Sequence, residues 1–147
     1  MTHLADDGRW ATSFIGEKRM QTSWPMGSLV SDGAVVALGS DWFVTEPDPR
    51  QGIYAAVTRR TIDGAHPDGL VAGEKVSVEE AMVAYTSGAA YAAAEERQRG
   101  SLATGMLADL VLLNRHLLEV ANVEEIPETK IMLTVVGGNV VHCAMDD

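Results

Sequence analysis

The segment Gly33-Ala34-Val35-Val36-Ala37-Leu38-Gly39-Ser40-Asp41-Trp42 constrains this chain more than any other. A short run of apolar residues lies between two glycines and stops at a carboxylate. Periodicity alone leaves such a run ambiguous, but its length and its glycine boundaries favour a buried strand over a piece of helix. In α/β folds the loops beyond the carboxyl ends of parallel strands carry the chemistry. Asp41 stands at that point. It is either a catalytic or metal-binding carboxylate or part of an ordinary Ser-Asp turn, and the segment by itself leaves both open.

The flanking sequence supports an α/β reading. Residues 3–32 read as irregular to helical, with Trp10, Phe14 and Ile15 on one apolar face and a short helix from Trp24-Pro25 through Met26, Leu29 and Val30. Gly33 suits the end of that helix, where a left-handed residue is often needed. Helix, glycine and strand 34–39 together make half of a βαβ unit. Pro47 and Pro49 mark Asp41–Arg50 as loop. Ile53, Ala56, Val57 and Arg60 keep helical spacing over about 50–61, and 63–74 is loop again.

Ser77-Val78-Glu79-Glu80 has the form of a capping box, with Ser77 at the N-cap of a helix whose apolar stripe is Ala81, Met82, Tyr85 and Ala89. Thr86-Ser87-Gly88 interrupts it before a second, Ala-rich helix over 89–96. Beyond Gly100 the pattern turns to β: a strand at 108–113, then a hairpin of 131–136 and 139–143 around Gly137-Gly138, a pair that supplies positive φ. The change of character puts a boundary near Gly100–Gly105.

With 11 Lys+Arg against 21 Asp+Glu the net charge is -10, which repels phosphate backbones and disfavours nucleic acid as a partner. The single Cys143 has no internal disulfide partner, suits a reducing compartment, and in a strand-like segment reads as structural rather than nucleophilic. The first residues lack the basic start and apolar core of a signal peptide, and no apolar run approaches the ~20 residues that span a bilayer, so a soluble cytoplasmic protein is expected.

No self-sufficient active site is legible. His3, His66, His116 and His142 are scattered without H-x-H or H-E-x-x-H spacing, and nucleophile-elbow, P-loop and dinucleotide-binding patterns are missing. His66 reads as a solvated loop residue, His116 and His142 as surface or packing residues. A mononuclear catalytic metal needs three protein ligands. The chain offers Asp41, joined by His3 if the two lie close.

Five motifs nevertheless follow one another in a familiar order: Gly39-Ser40-Asp41-Trp42, Ala56-Val57-Thr58-Arg59, Ser77-Val78-Glu79-Glu80-Ala81, the run from Tyr85 to Tyr91, and the run from Gly100 to Leu110. With the closing Thr134–Val141 they resemble the C-terminal part of the metal-dependent amidohydrolase superfamily, in the branch that includes N-substituted formamide deformylase. The resemblance covers about Gly16 to Cys143, and the G-S-L-x-x-G-x-x-A-D-L run is specific to the superfamily.

The resemblance implies a (β/α)8 barrel with an accessory β-sandwich. Residues 34–39 would be the eighth barrel strand, the helices through 96 its closing helices, and 106–143 the C-terminal share of the sandwich. That divides the chain into 1–100, the C-terminal end of the barrel, and 101–147, the sandwich segment. Asp41 would be the strand-eight aspartate that binds the divalent metal, zinc in the complete site, and takes a proton from the attacking water. His3 would be a substrate-facing histidine after strand seven. The implied substrate is a small amide or formamide-like molecule cleaved at a carbon–nitrogen bond.

Two departures from the pattern stand out: Phe43 stands where the family has Pro, and Asn114 and His116 replace Asp residues. The remaining metal ligands of the family, on strands one and four to six, have no counterpart here. Three readings follow: the C-terminal portion of an amidohydrolase seen as a fragment, a non-catalytic scaffold that keeps the motifs and binds no metal, and a homo-oligomer in which strands of several copies replace the lost barrel.

Overall fold

A computed structural model describes residues 1–145. Six helices come first: α1 (Thr2–Ile15), α2 (Glu17–Met20), α3 (Met26–Ser31), α4 (Pro49–Thr58), α5 (Val78–Tyr85) and α6 (Ser87–Ala92). Three strands follow, β1 (Leu110–Leu113), β2 (Ile131–Val136) and β3 (Asn139–Cys143), in one antiparallel sheet of order β1-β2-β3. Leu112 faces Leu133 across the first pair, and Thr134 faces His142 across the second. The hairpin turns where the sequence requires, with φ of 55° at Gly137 and 79° at Gly138.

The architecture is thus mixed helix and strand with a small antiparallel sheet. The expected strand 34–39 has no ladder: this stretch is in no sheet among the described residues. The reason is physical. A strand is defined by the neighbours it pairs with, and among the described residues the sheet is made of β1, β2 and β3 alone. The alternation survives, with Val36 and Leu38 packed against the core and Val35 and Ala37 exposed.

Helix α4 is the centre of the core. Ile53, Ala55 and Ala56 are buried beside Leu4 of α1, Met26 of α3, Ala81 and Ala84 of α5, and Leu117 and Ile126 from the region beyond residue 100. Its start differs from the expected loop. Pro49 sits in the first turn, where its missing N–H costs nothing, and Asp48 caps the helix by accepting from Arg50 N at 3.0 Å. Burial raises the Asp48 pKa, but the hydrogen bonds and charge of Arg50 outweigh it and leave the carboxyl below its usual range. Gly52 faces α5 so closely that a Cβ there would come within 1.7 Å of the Tyr85 hydroxyl.

Helix α1 also buries a different face from the one expected. Leu4, Gly8 and Ala11 turn inward, whereas Trp10 and Phe14 are exposed and stack edge-to-face with centroids 5.5 Å apart. These residues keep the i, i+4, i+7 spacing of one helix face, and at Gly8 the approach is close: a Cβ there would meet Leu70 at 2.7 Å.

Helix α4 ends at Arg59, in left-handed conformation with φ 56°, and the helix is therefore shorter than the spacing to Arg60 suggests. Arg59 is fully buried. Its guanidinium donates to the carbonyls of Leu70 (2.7 Å), Trp24 (2.9 Å) and Ser23 (3.3 Å). Burial pulls its pKa down to about 10 against the opposing pull of Glu74. Glu74 in turn accepts from Ser28 N at 2.8 Å and from the Ser28 hydroxyl, which holds its carboxyl below the ordinary glutamate range.

The capping box of α5 is formed as its sequence predicts: Glu80 N donates to Ser77 Oγ at 3.1 Å and Ser77 N to Glu80 Oε2 at 2.7 Å. The second helix starts and ends earlier than 89–96, because Ser87 and Gly88 already belong to it.

Two outcomes follow. Arg59→Leu removes every donor to three carbonyls and is expected to cost about 3 kcal/mol or more in urea unfolding, at ~1–3 kcal/mol per orphaned group. Arg59→Lys should recover little, since one ammonium lacks the planar fork. Second, backbone and hydroxyl hydrogen bonds from Ser77 hold Glu80 below its ordinary pKa. This contribution is complete above the unfolded glutamate value of ~4.3 and is lost as pH falls through the lower folded value. Ser77→Ala should cost about 1 kcal/mol at neutral pH and flatten that part of the acid-unfolding profile.

Candidate functional site

Asp41 closes the extended segment 34–40 and opens a tight turn, its carbonyl accepting from Val44 N at 2.8 Å. Its φ of 53° is left-handed, a conformation that Asp tolerates better than most residues. The side chain is exposed, and among the described residues its carboxylate accepts no hydrogen bond. Both oxygens are available to a partner.

The turn is tied down one residue to each side of its tip. Thr45 Oγ1 donates to the Ser40 carbonyl at 2.7 Å and lies 2.6 Å from Thr2 Oγ1. That contact joins the Asp41 turn to the start of α1, where His3 sits next to Thr2. The two candidate residues therefore lie on segments that touch, and among the described residues no hydrogen bond joins their side chains. His3 is half-buried, and its Nε2 is sealed from solvent with no hydrogen-bond partner among the described residues.

A cleft of about 670 Å³ opens between these segments, α4 and the 60–64 loop. Trp42 and Phe43, 64% and 84% exposed, form an apolar wall, and Asp6, Tyr54 and Arg60 supply polar groups. Arg60 is held there by Tyr54 and Glu124: its Nη1 donates to the Tyr54 hydroxyl at 3.1 Å and to Glu124, and both interactions raise its pKa. Tyr54 donates to Glu124 at 2.9 Å. Nothing in the sequence brings Arg60, Tyr54 and Glu124 together, since they lie 6 and 64 residues apart and only the fold closes that distance.

Among the described residues no three His, Cys, Asp or Glu side chains converge as a metal-binding group. A catalytic metal needs three protein ligands, so Asp41 does not hold one by itself, and the residues of this chain do not fit the metal that the resemblance implies. The other histidines stay apart from the turn. His142 Nε2 lies 3.1 Å from the Ile131 carbonyl on the sheet, and His66 is half-buried in its loop. Cys143 is exposed on β3. Asn114, one of the departures from the family pattern, has a structural role, with Oδ1 accepting from Lys130 N at 2.8 Å. Among the described residues no helix is long and apolar enough to cross a membrane.

The sequence pattern described as the amidohydrolase family matches residues 1–142. The chain belongs to the amidohydrolase family. Protein LONG AFTER FAR-RED 3 of Arabidopsis thaliana is 36% identical over 113 residues, covering 76% of this chain and 19% of that protein. YtcJ of Bacillus subtilis (strain 168) is 30% identical over 139 residues, 95% of this chain and 26% of YtcJ. N-substituted formamide deformylase of Arthrobacter pascens is 32% identical over 117 residues, 78% of this chain and 20% of the enzyme. The chain thus spans about a fifth to a quarter of the length of these relatives. No solved structure matches it significantly.

The lack of converging ligands is directly measurable. After incubation with zinc and desalting, the purified chain is expected to retain far less than one equivalent by elemental analysis, and Asp41→Ala should leave that value unchanged.

Proposed function

We propose that this chain is the C-terminal portion of a metal-dependent amidohydrolase that cleaves a carbon–nitrogen bond in a small amide or formamide-like molecule by attack of water. Support comes from the match over 142 residues and from relatives, one of them named N-substituted formamide deformylase, that are four to five times as long as the matched region. In this reading residues 1–100 end a (β/α)8 barrel, with 34–39 as its eighth strand, and residues 101–147 belong to an accessory β-sandwich.

The observation that carries the assignment of Asp41 is its state: an exposed carboxylate with no internal partner among the described residues, at the end of an extended segment and fixed by the Thr45 ties. A carboxylate free of internal donors can accept a proton from water, and general-base help of this kind contributes ~10²–10⁴-fold to rate. His3, with a sealed and unpartnered Nε2 on the adjoining segment, is the substrate-facing candidate. Any metal, zinc in the family reading, would need ligands from outside this chain.

A second reading, a non-catalytic scaffold that keeps the motifs, is favoured by one observation: no metal-binding group forms among the described residues. A chimera separates the two. The matched segment of the Arthrobacter pascens deformylase is replaced by the corresponding residues of this chain, and amine release from N-substituted formamides is followed. Turnover is expected, together with a loss of about 10²-fold or more on Asp41→Asn. Turnover indifferent to Asp41→Asn would remove the catalytic role from Asp41. The chain alone, with zinc added, should release no amine above background.

A further inference from the structure

Trp42 and Phe43 follow the Asp41 carboxylate directly, and the packing gives their rings no part in the fold. They are 64% and 84% exposed, neither packs against the hydrophobic core, and among the described residues neither stacks on another aromatic ring. Both line the cleft of about 670 Å³ beside the Asp41 turn. Exposed apolar surface of this kind, rimmed by polar residues, is the mark of a ligand-binding groove.

The rest of the cleft narrows the ligand. Ala5 of α1 and Ala55 of α4 bring short side chains that leave width, and Ile62 adds apolar surface. A benzene ring needs an apolar space of only about 150 Å³, so a ring on a short linker fits. The polar groups are largely satisfied by one another. Asp6 pairs with Arg9, Arg60 with Tyr54 and Glu124, and Thr2 with Thr45, while Glu46 and Gln51 face solvent. Arg60, the cation among the described lining residues, is already held by a carboxylate and offers little to an anionic ligand. The two aromatic rings are the surface left without partners.

Chain geometry ties this wall to the chemistry. Consecutive Cα atoms are about 3.8 Å apart, so those of Asp41 and Phe43 lie within about 7.6 Å of one another. A carbonyl attacked by water beside Asp41 therefore holds its substituents within reach of both rings. In a formamide the acyl side is a single hydrogen. The substituent that meets the wall is then the one on nitrogen.

We propose that Phe43, together with Trp42, is a specificity-determining residue that selects an aryl-bearing substituent on the amide nitrogen by stacking against it. The proposal rests on the reading of the chain as part of a carbon–nitrogen hydrolase and adds the side chain that chooses the leaving amine.

Two N-substituted formamides of equal length serve as probes, one carrying a 2-phenylethyl group and the other its saturated 2-cyclohexylethyl counterpart. In an NMR titration of the 147-residue chain, the phenyl probe should move the Trp42 indole N–H and the amides of 42–45 and 60–62. It should bind about threefold more tightly than the cyclohexyl probe, or better, as an aromatic pair gains beyond its buried area. Phe43→Ala should weaken the phenyl probe about fivefold and remove the preference, whereas Phe43→Tyr, which keeps a ring, should preserve it. The position is exposed enough for the fold to tolerate both changes. In the chimera, Phe43→Ala should lower the phenyl-to-cyclohexyl ratio of kcat/KM about threefold.

Equal affinities for the two probes, no binding of either, or binding indifferent to Phe43→Ala would overturn the proposal. An unchanged ratio in an active, Asp41-dependent chimera would overturn it as well and leave the proposed reaction standing. A chimera without turnover would count against the reaction, and the titration of the isolated chain then decides the role of Phe43 by itself.

Discussion

The buried guanidinium of Arg59 is the interaction on which the helical half of this molecule depends. A charge in a core needs its hydrogen-bonding capacity filled, and here carbonyls from three chain positions, Ser23, Trp24 and Leu70, fill it. None of those carbonyls lies in a regular helix or strand. The guanidinium does for them what secondary structure does for the rest of the backbone. Through it the turn before α3, the end of α4 and the loop reaching Leu70 are fixed relative to one another, and Glu74 extends the arrangement to Ser28 in α3.

Helix α4 is held at its N-terminus by Asp48 and at its C-terminus by Arg59, and it forms one wall of the cleft next to the Asp41 turn. The opposite wall is the start of α1, joined to the turn by Thr2 and Thr45. The geometry around Asp41 is therefore set by helix packing and two hydroxyls rather than by a sheet.

Local rules were legible in the sequence wherever a feature is closed within a few residues. The Ser77–Glu80 box, the Gly137-Gly138 hairpin and the short helix ended by Gly33 all formed as the residues indicate, because their partners lie within about one turn of chain. What was illegible depends on distant packing. The inward face of α1 is Leu4, Gly8 and Ala11 because the core offers only shallow space there, a condition set by Leu70 and Thr61 from another part of the chain. Pro49 reads as a loop residue until Asp48 is seen capping the helix it begins. The grouping of Arg60 with Tyr54 and Glu124 leaves no trace in spacing at all. For the site, the sequence pointed to Asp41 and His3, and the fold put them on touching segments, but no pattern revealed that Thr2 and Thr45 make that junction.

In the proposed barrel reading, the unpaired state of 34–39 and the isolation of Asp41 have one origin. A parallel strand draws its hydrogen bonds from both neighbours, and a metal site on such a sheet draws its ligands from the ends of several strands. In that reading both would come from strands outside this chain. The inward alternation of Val36 and Leu38 persists because it is satisfied by helices that this chain does contain, whereas lateral pairing is a property of the strand's neighbours alone.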